Sequence, residues 1–427
     1  MKNENLKSAI TCDLDGKILS FSRGAENIFG YKSKDIVGKM RVSDFSDGEV
    51  VLGHVINWLD IAVKEGAWQG DTTFFDKDGN EMPCHIKITP TRDKDGNHTG
   101  YLGVTSKIKD KTADDVRLKI GFGTKLFKWM IIMRLPFLSA TFVPIFAGAA
   151  VASMLGYTVS WSWLGLTLLA GSFLHIGTNT SNDYFDHQSG TDELNYNYSN
   201  QGLNGGSRSI QMGLITPKGM ANVAVTTFAL SAIAGVPLII KSGMPILWLG
   251  LVGFLSGLFY TAPPFKFSSR KGMGELLIGL NFGPLMVAGS ALVQTGQLLP
   301  EAFLAGIPIG LLIAAVVYMN EFPDHDSDKQ TGKNTLIVVL GPEKARFGYV
   351  ALVASAFLSI VVMALNGIFP KLTLITLISA YFGITATTTL YKHYNSRLLQ
   401  PANWGTIYLH SAAGFLFCIG IWLGTPV

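Results

Sequence analysis

The sequence predicts an all-α polytopic membrane protein of about nine transmembrane helices, preceded by a small α+β domain. Three observations carry this reading. Composition changes abruptly part-way along the chain, apolar stretches of membrane-crossing length then recur, and the polar N-terminal part reads as short strands around Asp-Gly turns. The chain has 427 residues. Residues 1 to about 128 are polar and charged, whereas from Trp129 onward long apolar runs alternate with short polar loops. A mean hydropathy of +0.32 is the blend of these two parts. A soluble domain does not need repeated apolar runs of roughly 20 residues; a bilayer crossing does. The formal charge of +4 is small and scattered, which argues against a nucleic-acid partner. Cys12, Cys84 and Cys418 form no Cys-x-x-Cys pair, so reduced thiols are expected rather than a disulfide framework or a zinc site. Residues 1–5 lack the apolar core of a signal peptide, so the first domain is expected in the cytoplasm.

Within the polar part, Ile10-Thr11-Cys12-Asp13 and Ile18-Leu19-Ser20-Phe21 flank an Asp15-Gly16 turn, the pattern of a β-hairpin. Helical stretches are expected around 25–29 and 50–64. Residues 72–75 and 81–88 then flank Asp76-Lys77-Asp78-Gly79-Asn80, and a third turn, Asp93-Lys94-Asp95-Gly96-Asn97, precedes a strand at 101–105. This order gives an antiparallel sheet with helices over one face. The run "LDGKILSFSRGAENIFGYKSKDIVGK", the later "FDKDGN" and "DKDGNHTGYLGV" together resemble a PAS domain over about residues 8–110. The resemblance implies a small-ligand or contact-making sensor domain that is able to dimerise, and leaves its ligand unknown. Its light-sensing cysteine motif is missing, and His54 is read as a helix-surface residue rather than a haem ligand. The expected division is 1–110 for this domain, 111–128 for a charged connector breaking at Gly121-Phe122-Gly123, and 129–427 for the membrane domain.

The membrane part holds nine apolar segments, near 130–155, 161–179, 221–240, 246–260, 276–294, 302–319, 349–365, 372–390 and 407–423. With the N-terminus inside, eleven Lys and Arg fall in cytoplasmic loops against two, Lys241 and Lys371, in the opposite loops. The positive-inside rule therefore sets the N-terminus in the cytoplasm and the protein in the cytoplasmic (inner) membrane.

Two acidic clusters interrupt this apolar background. Asn182-Asp183-Tyr184-Phe185-Asp186, with Asp192 further on, ends the second segment. Asn320-Glu321-Phe322-Pro323-Asp324-His325-Asp326-Ser327-Asp328 ends the sixth. Spacings of three and four put Asp183 with Asp186, and Asp324 with Asp328, on one helix face each if the helix continues. Grouped carboxylates beside a membrane call for cations, and hard oxygen ligands suit Mg²⁺. Arg208 in Gly205-Gly206-Ser207-Arg208, Lys333 in Gly332-Lys333-Asn334-Thr335, and Lys266 and Arg270 are companions fit for phosphate oxygens. Gly332-Lys333-Asn334-Thr335 is not a P-loop, because Ser327 stands where its first glycine belongs. A receptor or transporter with a sensor input is the rival class; it would place ionisable groups along a path through the bilayer, whereas here they gather at one face.

These motifs resemble those of the UbiA superfamily of intramembrane prenyltransferases, over about residues 129–427. "NDYFD", "GGSR", "LVQTG" and "GKNTL" are most similar to the menaquinone-pathway branch, which prenylates 1,4-dihydroxy-2-naphthoate; Glu321 and Pro323 depart from that branch. The resemblance implies a Mg²⁺-dependent enzyme acting on a polyprenyl diphosphate and an aromatic acceptor. It assigns Asp183, Asp186, Asp192, Asp324 and Asp328 to metal, with Asp326 and Glu321 as helpers. It assigns Asn182, Arg134, Arg208, Lys333 and Tyr260 to the diphosphate, and Asp183, Asp186, Asp324 and Asp328 to catalysis. Other acceptors, 4-hydroxybenzoate and homogentisate among them, stay open, as does the base. His175 reads as a satisfied core histidine.

Overall fold

The computed structural model describes residues 7–14, 16–194 and 206–424. The chain divides into two compact units, Met1–Ile132 with Ser209–Thr216, and Met133–Arg208 with Pro217–Val427.

In the first unit, β1 (Ser8–Asp13), β2 (Ile18–Phe21), β3 (Trp68–Phe75), β4 (Glu81–Arg92) and β5 (His98–Lys107) form one antiparallel sheet in the order β2-β1-β5-β4-β3. The repeated Asp-Lys-Asp-Gly-Asn runs build the two tight turns by one device. Asp76 Oδ1 accepts from the amides of Asp78 and Asn80, and Asp93 Oδ1 from those of Asp95 and Asn97. Gly79 and Gly96 take the positive φ that each turn requires. Helix α1 (Arg23–Phe29) is capped by the Ser22 hydroxyl and stopped by Gly30 at φ +82°. It delivers Phe29 to a core where its ring stacks on Phe45 with centroids 4.6 Å apart. Asp15, in the first expected turn, lies outside the described residues.

The connector differs from its expected form. Thr112 and Asp115 cap a single turn, Ala113–Val116, after which the chain leaves helical geometry at Arg117. The Gly121-Phe122-Gly123 run does not break a helix but opens one, α2 (Phe122–Ile132). Thr124 lies against Gly53, and Lys128 Nζ pairs with Glu49 Oε1 at 2.7 Å.

The second unit is a helical bundle. Among the described residues, seven helices are long and apolar enough to cross a membrane: Leu135–Met154, Pro217–Ser242, Met273–Thr295, Pro300–Thr331, Pro342–Leu365, Lys371–His393 and Gln400–Leu423. Trp161–Ser189 and the short Met244–Leu258 bring the rods to nine. This is a multi-pass membrane protein. The first span begins later than expected. Helix α2 ends at Ile132, Arg134 turns left-handed at φ +53°, and the span starts at Leu135 with a short 3-10 turn that carries Pro136. The second and sixth rods, α3 (Trp161–Ser189) and α5 (Pro300–Thr331), run past the apolar stretches and carry both acidic motifs as helix.

Close backbone approach fixes the sixth rod. Gly279 and Gly283 of α4 (Met273–Thr295) face Gly306 and Gly310 of α5. A Cβ at Gly310 would collide with the Gly279 carbonyl, and one at Gly306 with Pro284. Two small-xxx-small faces interlock here, the arrangement that lets helices pack in lipid without a hydrophobic drive between them. α4 bends at this point, where Gly283 leaves helical φ/ψ. Pro323 removes an amide from α5 that would otherwise bond the Met319 carbonyl. Asn403 Nδ2, from the last helix, takes that carbonyl at 3.3 Å and Asn320 Oδ1 at 2.8 Å.

Candidate functional site

The two motif helices end alike. α3 stops at Gly190 with φ +75°, four residues after Asp186, and α5 at Gly332 with φ +75°, four after Asp328. The left-handed glycine lets the chain turn away at once, so each aspartate sits in a last helical turn. The ends touch: the hydroxyls of Thr191 and Thr331 are 3.2 Å apart. Lys333, one residue beyond the second stop, places Nζ 3.7 Å from Asp186 Oδ2 and 3.7 Å from Asp328 Oδ1. One buried ammonium is therefore shared by acids 142 positions apart in sequence (186 and 328).

Around this bridge, Asp183, Asp186, Asp192 and Asp328 are all buried and Asp324 is half-buried. Asn182 Nδ2 donates to Asp186 Oδ2 at 3.1 Å and to Thr261 Oγ1 at 2.5 Å. The Ser207 amide approaches both oxygens of Asp183, at 3.2 and 3.3 Å, and Arg134 Nη1 lies 3.8 Å from Oδ1. Gly206, at φ +73°, makes this possible, because a Cβ there would stand 2.7 Å from Asp183 Oδ1 and 3.4 Å from Asp192 Oδ2. Arg208 Nη1 donates to the Asp192 carbonyl. Burial, reinforced by Asp186 and Asp183, pushes the Asp192 carboxyl well above its usual range. Burial likewise raises the Tyr260 phenol.

A cavity of about 700 Å³ opens from these groups into the bundle. Arg134, Asn182, Asp186, Asp192, Tyr260, Asp324, Asp328 and Lys333 line its polar end, while Phe228, Val236, Leu247, Phe254 and Leu285 belong to its apolar wall. Asp183 and Arg208 are outside the lining but hold residues of its polar end, Asp183 pairing with Arg134 and Arg208 donating to the Asp192 carbonyl. Asp326 is turned away, 71% exposed and paired with His325 at 2.8 Å. His175 is satisfied as a core residue by Thr141 Oγ1 at 2.8 Å and by the edge of Phe282, although it also reaches the cavity. His54 lies on a helix surface against the Lys119 carbonyl. Sequence reasoning missed Thr191, Thr331, Ser207, Thr261, Glu275 and Asn403, all of which act across long sequence separations. Gly205 lies outside the described residues.

The donor set suits a divalent cation. Five carboxylates meet three cations, Arg134, Arg208 and Lys333, which leaves an excess of hard negative oxygen. Among the described residues no trio of acids converges as a ready chelate. Such a site fits an ion that takes one or two carboxylates and completes its shell with water and phosphate oxygens, the habit of Mg²⁺.

Among the described residues the molecule is a membrane bundle of nine rods, with two aspartate-bearing helix ends meeting at the mouth of a largely apolar cavity, the architecture of an intramembrane enzyme. The chain belongs to the UbiA prenyltransferase family, which matches residues 141–419, and residues 7–110 match the PAS domain family. It is a prenyltransferase. Over 284 residues it is 25% identical to a 1,4-dihydroxy-2-naphthoate octaprenyltransferase of Bacillus subtilis, covering 66% of this chain and 88% of that protein. The enzyme of the same description from Escherichia coli is 28% identical over 306 residues, 69% of this chain and 95% of that protein. A solved UbiA homolog from Aeropyrum pernix shares the fold, with a TM-score of 0.54 at 15% identity, over 66% of this chain and 97% of that one.

Proposed function

We propose that this protein transfers a polyprenyl group from its diphosphate to 1,4-dihydroxy-2-naphthoate, with Mg²⁺, at the cytoplasmic face of the inner membrane. The observation that carries the reading is Lys333 held between Asp186 and Asp328, at the polar end of an apolar cavity. The descriptions of the relatives support the choice of acceptor. Asp186, Asp192, Asp324 and Asp328, with Asp183 supporting them from behind, would supply the carboxylates for Mg²⁺, one or two to an ion, and the ion when bound would lend positive charge to the departing diphosphate. Lys333 and Arg134 neutralise diphosphate oxygens, and Arg208 supports them by holding the Asp192 backbone. Asn182 orients Asp186, and Tyr260 reaches the diphosphate from the facing turn. The apolar wall takes the isoprenoid tail and keeps water from the allylic carbon as its C–O bond opens.

The test uses purified full-length protein in lipid vesicles, offered geranyl or longer prenyl diphosphates with 1,4-dihydroxy-2-naphthoate, 4-hydroxybenzoate or homogentisate, with products read by mass. Prenylated naphthoate product, abolished by EDTA and restored by Mg²⁺, is expected. Product from one of the other acceptors alone would replace the acceptor, and no prenyl transfer to any of them would remove the reading.

Residues 1–110 act as a sensor for this site, joined through 111–128 to the transferase at 129–427. What supports regulation is that Ser209–Thr216, which follow Arg208 without a break, belong to the first compact unit. Within that unit Gly48 packs so tightly on Met212 that a Cβ would strike the Met212 carbonyl and lie 2.8 Å from Leu214 Cδ2. Gly48→Val is expected to change the transfer rate severalfold while every residue of the cavity stays native. An unchanged rate in both Gly48→Val and Leu214→Asp removes this coupling.

A further inference from the structure

Glu321 is the acidic residue that the diphosphate site does not absorb. It lies on α5 one turn before Asp324, is 9% exposed, and lines the cavity. Its Oε2 is buried with no hydrogen-bond partner. Lys333, the nearest cation of the cluster, gives its ion pairs to Asp186 and Asp328 instead. Its close neighbour is a second acid, Glu275 of α4, which is in hydrogen-bond contact with the Glu321 carboxyl and whose Oε1 also takes the Leu336 amide at 3.3 Å, so Oε2 is the oxygen left over. A buried carboxyl oxygen left unpaired costs the fold stability, and a donor arriving from outside would satisfy it.

The surrounding backbone is built to aim it. Pro323 frees the Met319 carbonyl, Asn403 occupies that carbonyl, and the same Asn403 amide holds Asn320 Oδ1. Asn320 also lines the cavity. Asn320 and Glu321 thus both line the cavity, one with an amide and the other with a carboxyl whose Oε2 is unpaired.

We propose that Glu321 receives the aromatic acceptor, its Oε2 accepting the hydrogen bond of a phenolic hydroxyl, with Asn320 alongside as a second polar contact. Glu321 is then a specificity-determining residue for the acceptor and not a metal ligand. The inference rests on the transferase reading given above. It accounts for the departure at Glu321, which makes the contact.

The experiment measures initial rates with the full-length protein in vesicles, varying 1,4-dihydroxy-2-naphthoate at saturating geranyl diphosphate and then the reverse. Wild type is compared with Glu321→Ala and Glu321→Gln, and each is offered the acceptor and its mono-O-methyl ethers. Leaving the acceptor's buried hydroxyl without its partner is worth about 5- to 100-fold. Glu321→Ala should lose that factor in kcat/KM for the acceptor, while the KM for geranyl diphosphate and the Mg²⁺ requirement stay within twofold. Glu321→Gln, which keeps an accepting oxygen, should recover part of the loss. Wild type should discriminate against one methyl ether, and the alanine variant should lose that discrimination. A rise in the donor KM or in the Mg²⁺ requirement instead would place Glu321 with the diphosphate and overturn the proposal. Wild-type acceptor dependence in both variants overturns it alone, whereas absence of prenyl transfer by wild type overturns the transferase reading and this inference with it.

Discussion

The two units handle charge differently. In the N-terminal unit, ion pairs such as Lys111–Asp71 and Arg117–Glu81 lie on the surface, with side chains 33–55% exposed, and the core cluster around Phe29 is apolar. In the bundle, charges in the loops are exposed, but one paired set is interior: in Arg134–Asp183, Lys333–Asp186 and Lys333–Asp328 no side chain is more than 17% exposed. A buried ion pair is a poor device for stability, because desolvation offsets most of the attraction. Its presence at the mouth of the bundle's cavity marks where the fold spends stability on chemistry.

The comparison is broken most directly by removing one interior charge. Asp328→Ala or Asp183→Ala should lower prenyl transfer by about a thousandfold, the scale of losing a positioned electrostatic group, with the protein still folded in membranes; near-normal turnover would show these acids to be structural. Gly310→Leu comes next. It forces α5 away from α4 and should cost roughly 1–3 kcal/mol or more in stability, read as a lower melting temperature in detergent, with donor binding lost alongside. The buried thiols of the N-terminal unit sharpen the contrast. Burial pushes Cys12 up to about 11 and Cys84 up to about 12, so neither should react with iodoacetamide at pH 8 until the domain is denatured. Labelling of the native protein at either site would reopen a thiol-based signal. The smallest effect is expected from Lys111→Ala, under ~1 kcal/mol as for any exposed pair. The hydrogen bonds of Lys111 and His85 hold the Asp71 carboxyl below its usual range. The pair's contribution is thus present at neutral pH and fades as the pH falls through the carboxylate range, and the gap between variant and wild type should close there.

Much of this was legible in the sequence for physical reasons. The Asp-Lys-Asp-Gly-Asn turns declare themselves because Asp caps its own backbone and Gly takes positive φ, both local events. The acidic motifs stand out because carboxylates at the end of an apolar helix need an explanation. Asp183 with Asp186 and Asp324 with Asp328 were placed on shared faces by helical spacing, and the helices do continue through them. The connector was misread because Gly121-Phe122-Gly123 looks the same at the start of a helix as at its end. Interlocking of Gly279 and Gly283 with Gly306 and Gly310, the Thr191–Thr331 contact, and the Asn403 hold on Asn320 depend on which helices become neighbours, and no local pattern encodes that. Glu321 was visible as a misfit, but its lone oxygen could be seen only once every nearby cation had a partner.

Lys333 also carries a consequence for the resting enzyme. Between turnovers, the mouth of the cavity would be a knot of mutually repelling acids with nothing to hold it shut. An ammonium tethered to the chain, seated between the two helix ends, serves as a built-in counterion that keeps the empty mouth assembled. The arriving diphosphate and its ion then find a pre-shaped seat and need only compete for a lysine that has two partners to give up.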